Sequence, residues 1–317
     1  MSIELRDRYE VIADEAELEW FFNNVIQKPL VCESYSAVFC ARYKKLTPEE
    51  RQEVGISKRE AEFLATQTFS LKKIHDIDNL AEEDSWTFER FVKRLRRFNV
   101  DSRAYLTTGG YPLPDKCLAT IFYVNPCDEI KVADEVMTKT SLTKTAIIKA
   151  MLNGKCLEDN IQSFQTFGNL ENNIKHARAH CKGSVYWLDY DIDVPSWFKN
   201  CTLGIVKPDR YFEGLKAIFN EYFGKGTYVI VDTSGGYHVL VRTRAIHQNP
   251  HFICQQVEDL YKRGCLDGNP EYRDEHNNEK FECIVNDSQI PGLPLPGTFQ
   301  YGRLVRVINK EEFNPSF

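Results

Sequence analysis

The run VYWLDYDID at 185–193 alternates apolar residues with carboxylates. Strand side chains alternate between faces with a period of two, so Asp189 and Asp191 project together while Tyr190 points the other way. Two carboxylates about 7 Å apart at the end of an apolar strand are costly to desolvate unless a cation neutralises them. Oxygen ligands of this kind suit Mg²⁺ or Mn²⁺, which bind carboxylates together with substrate phosphates. Asp-x-Asp also occurs in surface turns, but its place after the apolar residues 185–188 favours a metal site. Asp193 shares the parity and is a reserve ligand, because Pro195 predicts that the strand has ended.

A second element, TYVIVDTSGGYHVLVR at 227–242, predicts a hairpin closed by Ser234, Gly235 and Gly236. Glycines there allow close approach to a ligand, and successive free N–H groups can cradle a phosphate. His238 shares a strand face with Leu240 and Arg242. A lone strand histidine is often structural, yet after such a turn it can donate to phosphate, as can Ser234.

The third element runs from 281 to 308, where Asp287 ends an apolar strand as Asp191 does. Three carboxylates from two strands could hold two ions roughly 3.5–4 Å apart, one activating a hydroxyl and the other bridging a triphosphate. Pro291, Pro294 and Pro296 then force an irregular path into a final strand over 299–308, where Arg303 and Arg306 are either phosphate contacts or exposed strand residues.

Upstream, the residues before about 100 look mainly helical, with a helix over 14–27, a short strand over 35–43 and a helix start at Thr47-Pro48. The clearest amphipathic helix spans 85–98. Its Phe88, Phe91, Val92, Leu95 and Phe98 line one side, while Arg90, Lys93, Arg94 and Arg97 form a basic ridge near Arg96 and Arg103. That ridge is either a solvated face or a contact for a nucleic-acid backbone. A loop over 107–115, a strand over 118–124 and helices over 141–152 and 170–181 follow. From 184 onward the rhythm is strand, helix, strand, strand, helix, strand.

The sequence therefore predicts an α/β chain of the α+β kind with a module boundary near 180. At 317 residues two packed modules are expected. A hydrophobic share of 42% suits a soluble globular protein, and no run approaches the ~18 apolar residues of a membrane span. The N-terminus lacks the apolar region of a secretory signal, so an intracellular protein without a membrane partner is expected. Ten cysteines without a C-x-x-C pair predict reduced, mostly buried thiols. The net charge of -6 excludes bulk electrostatic coating of nucleic acid, so any such contact must be a local patch.

The ordered set D-x-D at 189–191, S-G-G-x-H at 234–238 and a hydrophobic stretch ending in Asp287 resembles the archaeo-eukaryotic primase (AEP) superfamily. IPGLPLPGTFQYG, FYVNP and FCARYKK at 39–45 look like its phage and CRISPR-associated primase-polymerase branch. The resemblance implies a catalytic module over 181–317 with a mixed sheet like that of an RNA-recognition module, packed against a mostly helical N-terminal module over 1–180. It implies Asp189, Asp191 and Asp287 as ligands of two Mg²⁺ or Mn²⁺ ions. Ser234, Gly235, Gly236, His238, Arg242 and Arg303 would hold the nucleotide, and Arg42, Lys44, Lys45, Lys93, Arg94, Arg97 and Arg103 the nucleic acid. The implied activity is template-dependent transfer from a ribo- or deoxyribonucleoside triphosphate to a 3′-hydroxyl. The implied partners are single-stranded or primer-template DNA, with a helicase or other replication or CRISPR proteins.

Two other classes share some of these features. A glycosyltransferase with a nucleotide-sugar donor also uses Asp-x-Asp, but has no need of the Ser-Gly-Gly-x-His hairpin. A non-catalytic nucleic-acid-binding module would gain nothing from clustered acids, which repel phosphate. His247, His251, Cys254 and Cys265 lack the compact paired spacing of zinc sites, which argues against structural zinc.

Overall fold

The computed structural model describes residues 8–43, 46–53, 62–71, 86–101, 113–152, 170–194, 209–268, 282–287 and 289–316. In chain order these form β1 (Arg8–Tyr9), α1 (Glu15–Asn24), β2 (Glu33–Ala41), α2 (Pro48–Glu53), β3 (Glu62–Ser70), α3 (Phe88–Leu95), β4 (Val100–Asp101), β5 (Leu118–Tyr123), β6 (Cys127–Asp128) and α4 (Glu129–Leu152). There follow α5 (Leu170–His180), β7 (Trp187–Asp193), α6 (Asp209–Phe223), β8 (Tyr228–Asp232), β9 (Gly236–Arg242), α7 (His251–Gly268), β10 (Glu282–Asn286), β11 (Gly292–Pro294), β12 (Phe299–Gln300), β13 (Arg303–Leu304) and β14 (Arg306–Val307). The class is α+β.

The sheet that matters most for function has the order β10-β7-β9-β8-β14. Its first four strands, with α6 and α7, make the β-α-β-β-α-β connection known as a split βαβ. The helix after β7 carries the chain over to β8, and the hairpin return of β9 fills the gap between them. No two parallel strands become neighbours, so the sheet is antiparallel throughout its described ladders rather than mixed as expected.

Alternation gives this sheet two different faces. Leu188, Tyr190 and Ile192 on β7 join Val239, Val241, Tyr228, Ile230, Cys283 and Val285 against Leu215 and Phe219 of α6 and Ile253 and Val257 of α7. Tyr190 meets Phe219 edge to face, with centroids 5.1 Å apart. The opposite face carries Asp189 and Asp191, with Trp187 closing its far end.

The first sheet runs β13-β12-β5-β2-β3, with β11 also on β5 and β6 on β2. The sequence read mainly helix in this region, but β2 and β3 are the sheet's longest strands. Tyr35, Ala37 and Phe39 of β2 face α1 and α3. The other face carries Ser34, Ser36, Thr66 and Thr68. Helix α4 also starts well before the expected residue 141, because the Asp128 carboxylate accepts from the N–H groups of Ile130 and Lys131 and caps it.

One core joins the two sheets. Trp187, Val229, Val231, Leu240 and Val307 of the second sheet pack with Phe39, Phe122, Leu18 and Phe21 of the first part. The segment from β11 to β13 lies beyond the expected boundary near 180 yet pairs with β5, so strand pairing crosses that boundary. Buried Glu17 of α1 accepts from Val307 N–H at 2.7 Å and from Lys310, which holds the returning chain.

The face of the second sheet that holds α6 and α7 depends on its aromatic centre. Phe219→Ala should cost about 3–5 kcal/mol in urea unfolding, as expected when a large buried ring leaves a cavity. A cost below about 1 kcal/mol would mean that α6 does not pack as described.

Candidate active site

Strand β7 is placed by Asn125, which lies in the buried turn after β5. Its Oδ1 accepts from the N–H groups of Tyr186 and Trp187 at 2.9 Å each, and its Nδ2 donates to Trp187 O at 2.7 Å. The Asn-Pro pair thus fixes the start of the strand that bears the acids, a role the sequence did not disclose.

Across the β7–β9 ladder, Asp191 lies opposite His238 and Asp189 opposite Leu240. His238 sits between the two acids. Its Nδ1 donates to Asp189 Oδ2 at 3.0 Å and Oδ1 at 3.2 Å, and its Nε2 is 3.5 Å from Asp191 Oδ1. Asp189 is 1% exposed and His238 8%, whereas the Asp191 side chain keeps 47% of its surface in solvent. The cluster therefore has a closed end at Asp189 and an open end at Asp191.

The electrostatics follow from this packing. Burial alone would lower the pKa of His238, but the charge and hydrogen bond of Asp189, with Asp191 and Asp193, outweigh it and push the ring up to about 9. At neutral pH His238 is an imidazolium and both ring nitrogens donate. Burial raises the Asp191 carboxyl, as do Asp189 and Asp193, while His238 and Arg42 oppose the rise. Arg42, just after β2, thus lends its positive charge to the open end.

The turn between β8 and β9 is held on several sides. Thr233 Oγ1 donates to Gly236 O at 3.0 Å, and Val194 N–H donates to Gly235 O at 3.0 Å. Ser234 N–H donates to Gln300 Oε1 at 2.7 Å. Gln300 and Arg303 flank the two-residue turn Tyr301-Gly302, whose φ values of 54 and 82 suit a primed hairpin turn. Arg303 pairs with Asp232, so one hairpin turn docks on the other. The Ser234 hydroxyl is buried and has no hydrogen-bond partner. A Cβ on Gly236 would lie 1.7 Å from Ile192 O, so this glycine serves the close approach of β9 to β7.

Several expected members lie elsewhere. Asp287, one residue beyond β10, points to His251 Nε2 at 3.3 Å and does not join the Asp189–Asp191 pair. The ladder sets Asn286 opposite Asp189 and Ile284 opposite Asp191, which leaves Asp287 past the end of the pairing. Asp193 takes its place as the further carboxylate felt by the cluster. Arg242 stacks between Trp187 and Phe313 and donates to Pro315 O at 2.9 Å, so it is a structural cation at the far end of β9. Arg303 is held at the turn by Asp232, and Arg306 is exposed.

On α3 and the turn after it, Lys93 and Arg97 are exposed, but Arg94 leans over the Phe69 ring and donates to Thr68 O at 2.7 Å. Arg96 pairs with Glu15 at 2.7 Å. No described ion pair links this ridge to the acids. Lys44, Lys45 and Arg103 lie outside the described residues.

Among the described residues no three His, Cys, Asp or Glu side chains gather closely enough to hold an ion by themselves. The Asp189 and Asp191 carboxylates are oxygen donors of the kind that a hard cation such as Mg²⁺ takes together with phosphate and water, while His238 lies between them and holds Asp189. The chain matches no protein-family model, no curated protein and no solved structure.

In the metal-free protein, a histidine raised from 6.5 to about 9 stabilises the fold fully below pH 6.5 and loses that contribution as pH rises through about 9. Urea midpoints should therefore fall across this interval for the native chain and stay nearly level for His238→Asn. Parallel slopes would show that the imidazolium is not paired with Asp189.

Proposed function

We propose that the chain is a template-dependent nucleotidyltransferase of the primase-polymerase kind, which joins a nucleoside triphosphate to a 3′-hydroxyl with release of pyrophosphate. The observation that carries this reading is the meeting of Asp189, Asp191 and His238 on the two middle strands of the split-βαβ sheet, beside the Ser-Gly turn. The D-x-D and S-G-G-x-H resemblance to the primase superfamily supports it.

Phosphoryl transfer asks a protein mainly for orientation and charge neutralisation. Asp189 and Asp191 would hold a divalent cation, with Asp193 as the nearest further carboxylate. Such an ion, when bound, neutralises phosphate oxygens and favours ionisation of the attacking hydroxyl. His238, held as imidazolium by Asp189, would donate from Nε2 to a phosphate oxygen at the open end. Ser234, whose hydroxyl lacks a protein partner, would give a second donor, and Arg42 a cation from the facing sheet. Gly236 brings the turn close to β7, which keeps these donors within one small region.

Incubation with template, primer, Mn²⁺ or Mg²⁺ and labelled triphosphates tests the reading. A ladder of lengthened products is expected. Asp191→Ala should reduce it to background, and His238→Ala should lower kcat/KM by roughly 100-fold, the scale for loss of one preorganised donor. Undiminished synthesis by Asp191→Ala, or no synthesis by the native chain on any template, would remove the proposal.

A further inference from the structure

Among the described residues, β10 has a strand on one side only, and α7 lies along its free side. Cys283 N–H donates to Glu258 Oε1 at 3.4 Å, and Val285 N–H donates to the sulfur of Cys254. Cys254 and Glu258 are one helical turn apart and share a face of α7, a spacing that matches alternate residues of a strand. The helix thus takes up two N–H groups of an edge strand.

The same arrangement brings two thiols together. Cys283 turns into the apolar face of the sheet beside Val285, and its S–H donates to Cys254 Sγ. Neither is in a disulfide. Buried thiols are commonly inert, and burial pushes Cys40 and Cys127 up to about 11 and Cys117 and Cys181 up to about 12. Cys254 goes the other way. The hydrogen bond from Cys283 holds it below the ordinary thiol value, against burial and the charge of Glu258. It also lies in the first turn of α7, where a helix N-terminus favours a thiolate. Cys254 is half-buried, whereas Cys283 is 6% exposed. One sulfur can meet a small reagent, and the other meets its neighbour.

We propose that Cys254 and Cys283 form a thiol-disulfide couple closed by hydroperoxides, with Cys254 as the attacking sulfur and Cys283 as the partner that resolves it. The Cys254 thiolate attacks one oxygen of the hydroperoxide and the O–O bond breaks. The leaving oxygen takes a proton and departs as an alcohol, or as water from hydrogen peroxide, which leaves Cys254 as a sulfenic acid. The Cys283 sulfur attacks that acid, the S–S bond forms, the S–O bond breaks, and hydroxide leaves with the Cys283 proton as water. Two thiols give up two electrons and the hydroperoxide takes them; a thiol reductant reverses the change. Closure ties α7 to the strand that borders β7, where Ile284 lies opposite Asp191. The inference stands apart from the reading of the acid cluster, since it needs neither metal nor catalysis.

The test treats the full, folded chain with hydrogen peroxide, blocks the remaining thiols with N-ethylmaleimide and digests with trypsin. Cys254 is the one cysteine of the tryptic peptide 245–262, and Cys283 is the one cysteine of 281–303. The two peptides should appear joined, about two daltons lighter than their sum, and should separate on addition of dithiothreitol. They should join at least about tenfold faster than Cys40 or Cys117 is oxidised. Cys254→Ala, at a half-buried position, should abolish the joined pair. Cys283→Ala should instead let dimedone, which captures sulfenic acids, label Cys254. The oxidised native chain should melt about 4–10 °C above the reduced one, the shift expected when a closed loop constrains the unfolded chain. Absence of the joined pair, linkage of either residue to another cysteine, or a melting temperature that oxidation leaves unchanged or lowers would overturn the proposal.

Discussion

The buried contact between Asp189 and His238 determines how the second sheet can be used. A carboxylate at 1% exposure is tolerable only with a charged, hydrogen-bonded partner, and His238 supplies one through Nδ1. Removing one partner of such a pair commonly costs about 3–5 kcal/mol, far more than an exposed ion pair contributes. The bond also fixes the ring, so its second nitrogen faces Asp191, where the site opens to solvent. Three charges are thereby arranged by the register of two adjacent strands.

That register rests on features remote from the acids. Asn125 fixes the start of β7, and the missing side chain of Gly236 lets β9 approach β7 at the other end. The turn before Gly236 is then braced by Gln300 and Arg303, which belong to the first sheet although they follow β7 to β10 in sequence. This return of the chain explains why the two sheets share one core. A displacement of the β12–β13 hairpin would be felt at Ser234 directly.

Much of this was legible in the residues. The strand and helix rhythm after 184 shows itself in the apolar runs of its strands, and Asp189 and Asp191 fall on one face by parity alone, whereas their meeting with His238 depends on the pairing of β9 with β7. The position of Asp287 was not legible, because the register of β10 against β7 depends on pairing that no local pattern encodes. Arg242 shares a face with His238 and so looked like a phosphate ligand, but Trp187 and Phe313, far apart in sequence, enclose it. Gln300 gave no signal beyond its place before Tyr301-Gly302, since its contact with Ser234 exists only once the two hairpins are placed.

The proposed function requires Asp189 and Asp191 together to hold a divalent cation. Electron paramagnetic resonance of Mn²⁺, titrated with native chain and a non-hydrolysable triphosphate, measures this without requiring turnover. Loss of the free-ion signal beyond what the triphosphate alone removes, seen with the native chain and absent with Asp189→Asn combined with Asp191→Asn, is the expected result. Equal uptake of Mn²⁺ by both proteins would contradict the account.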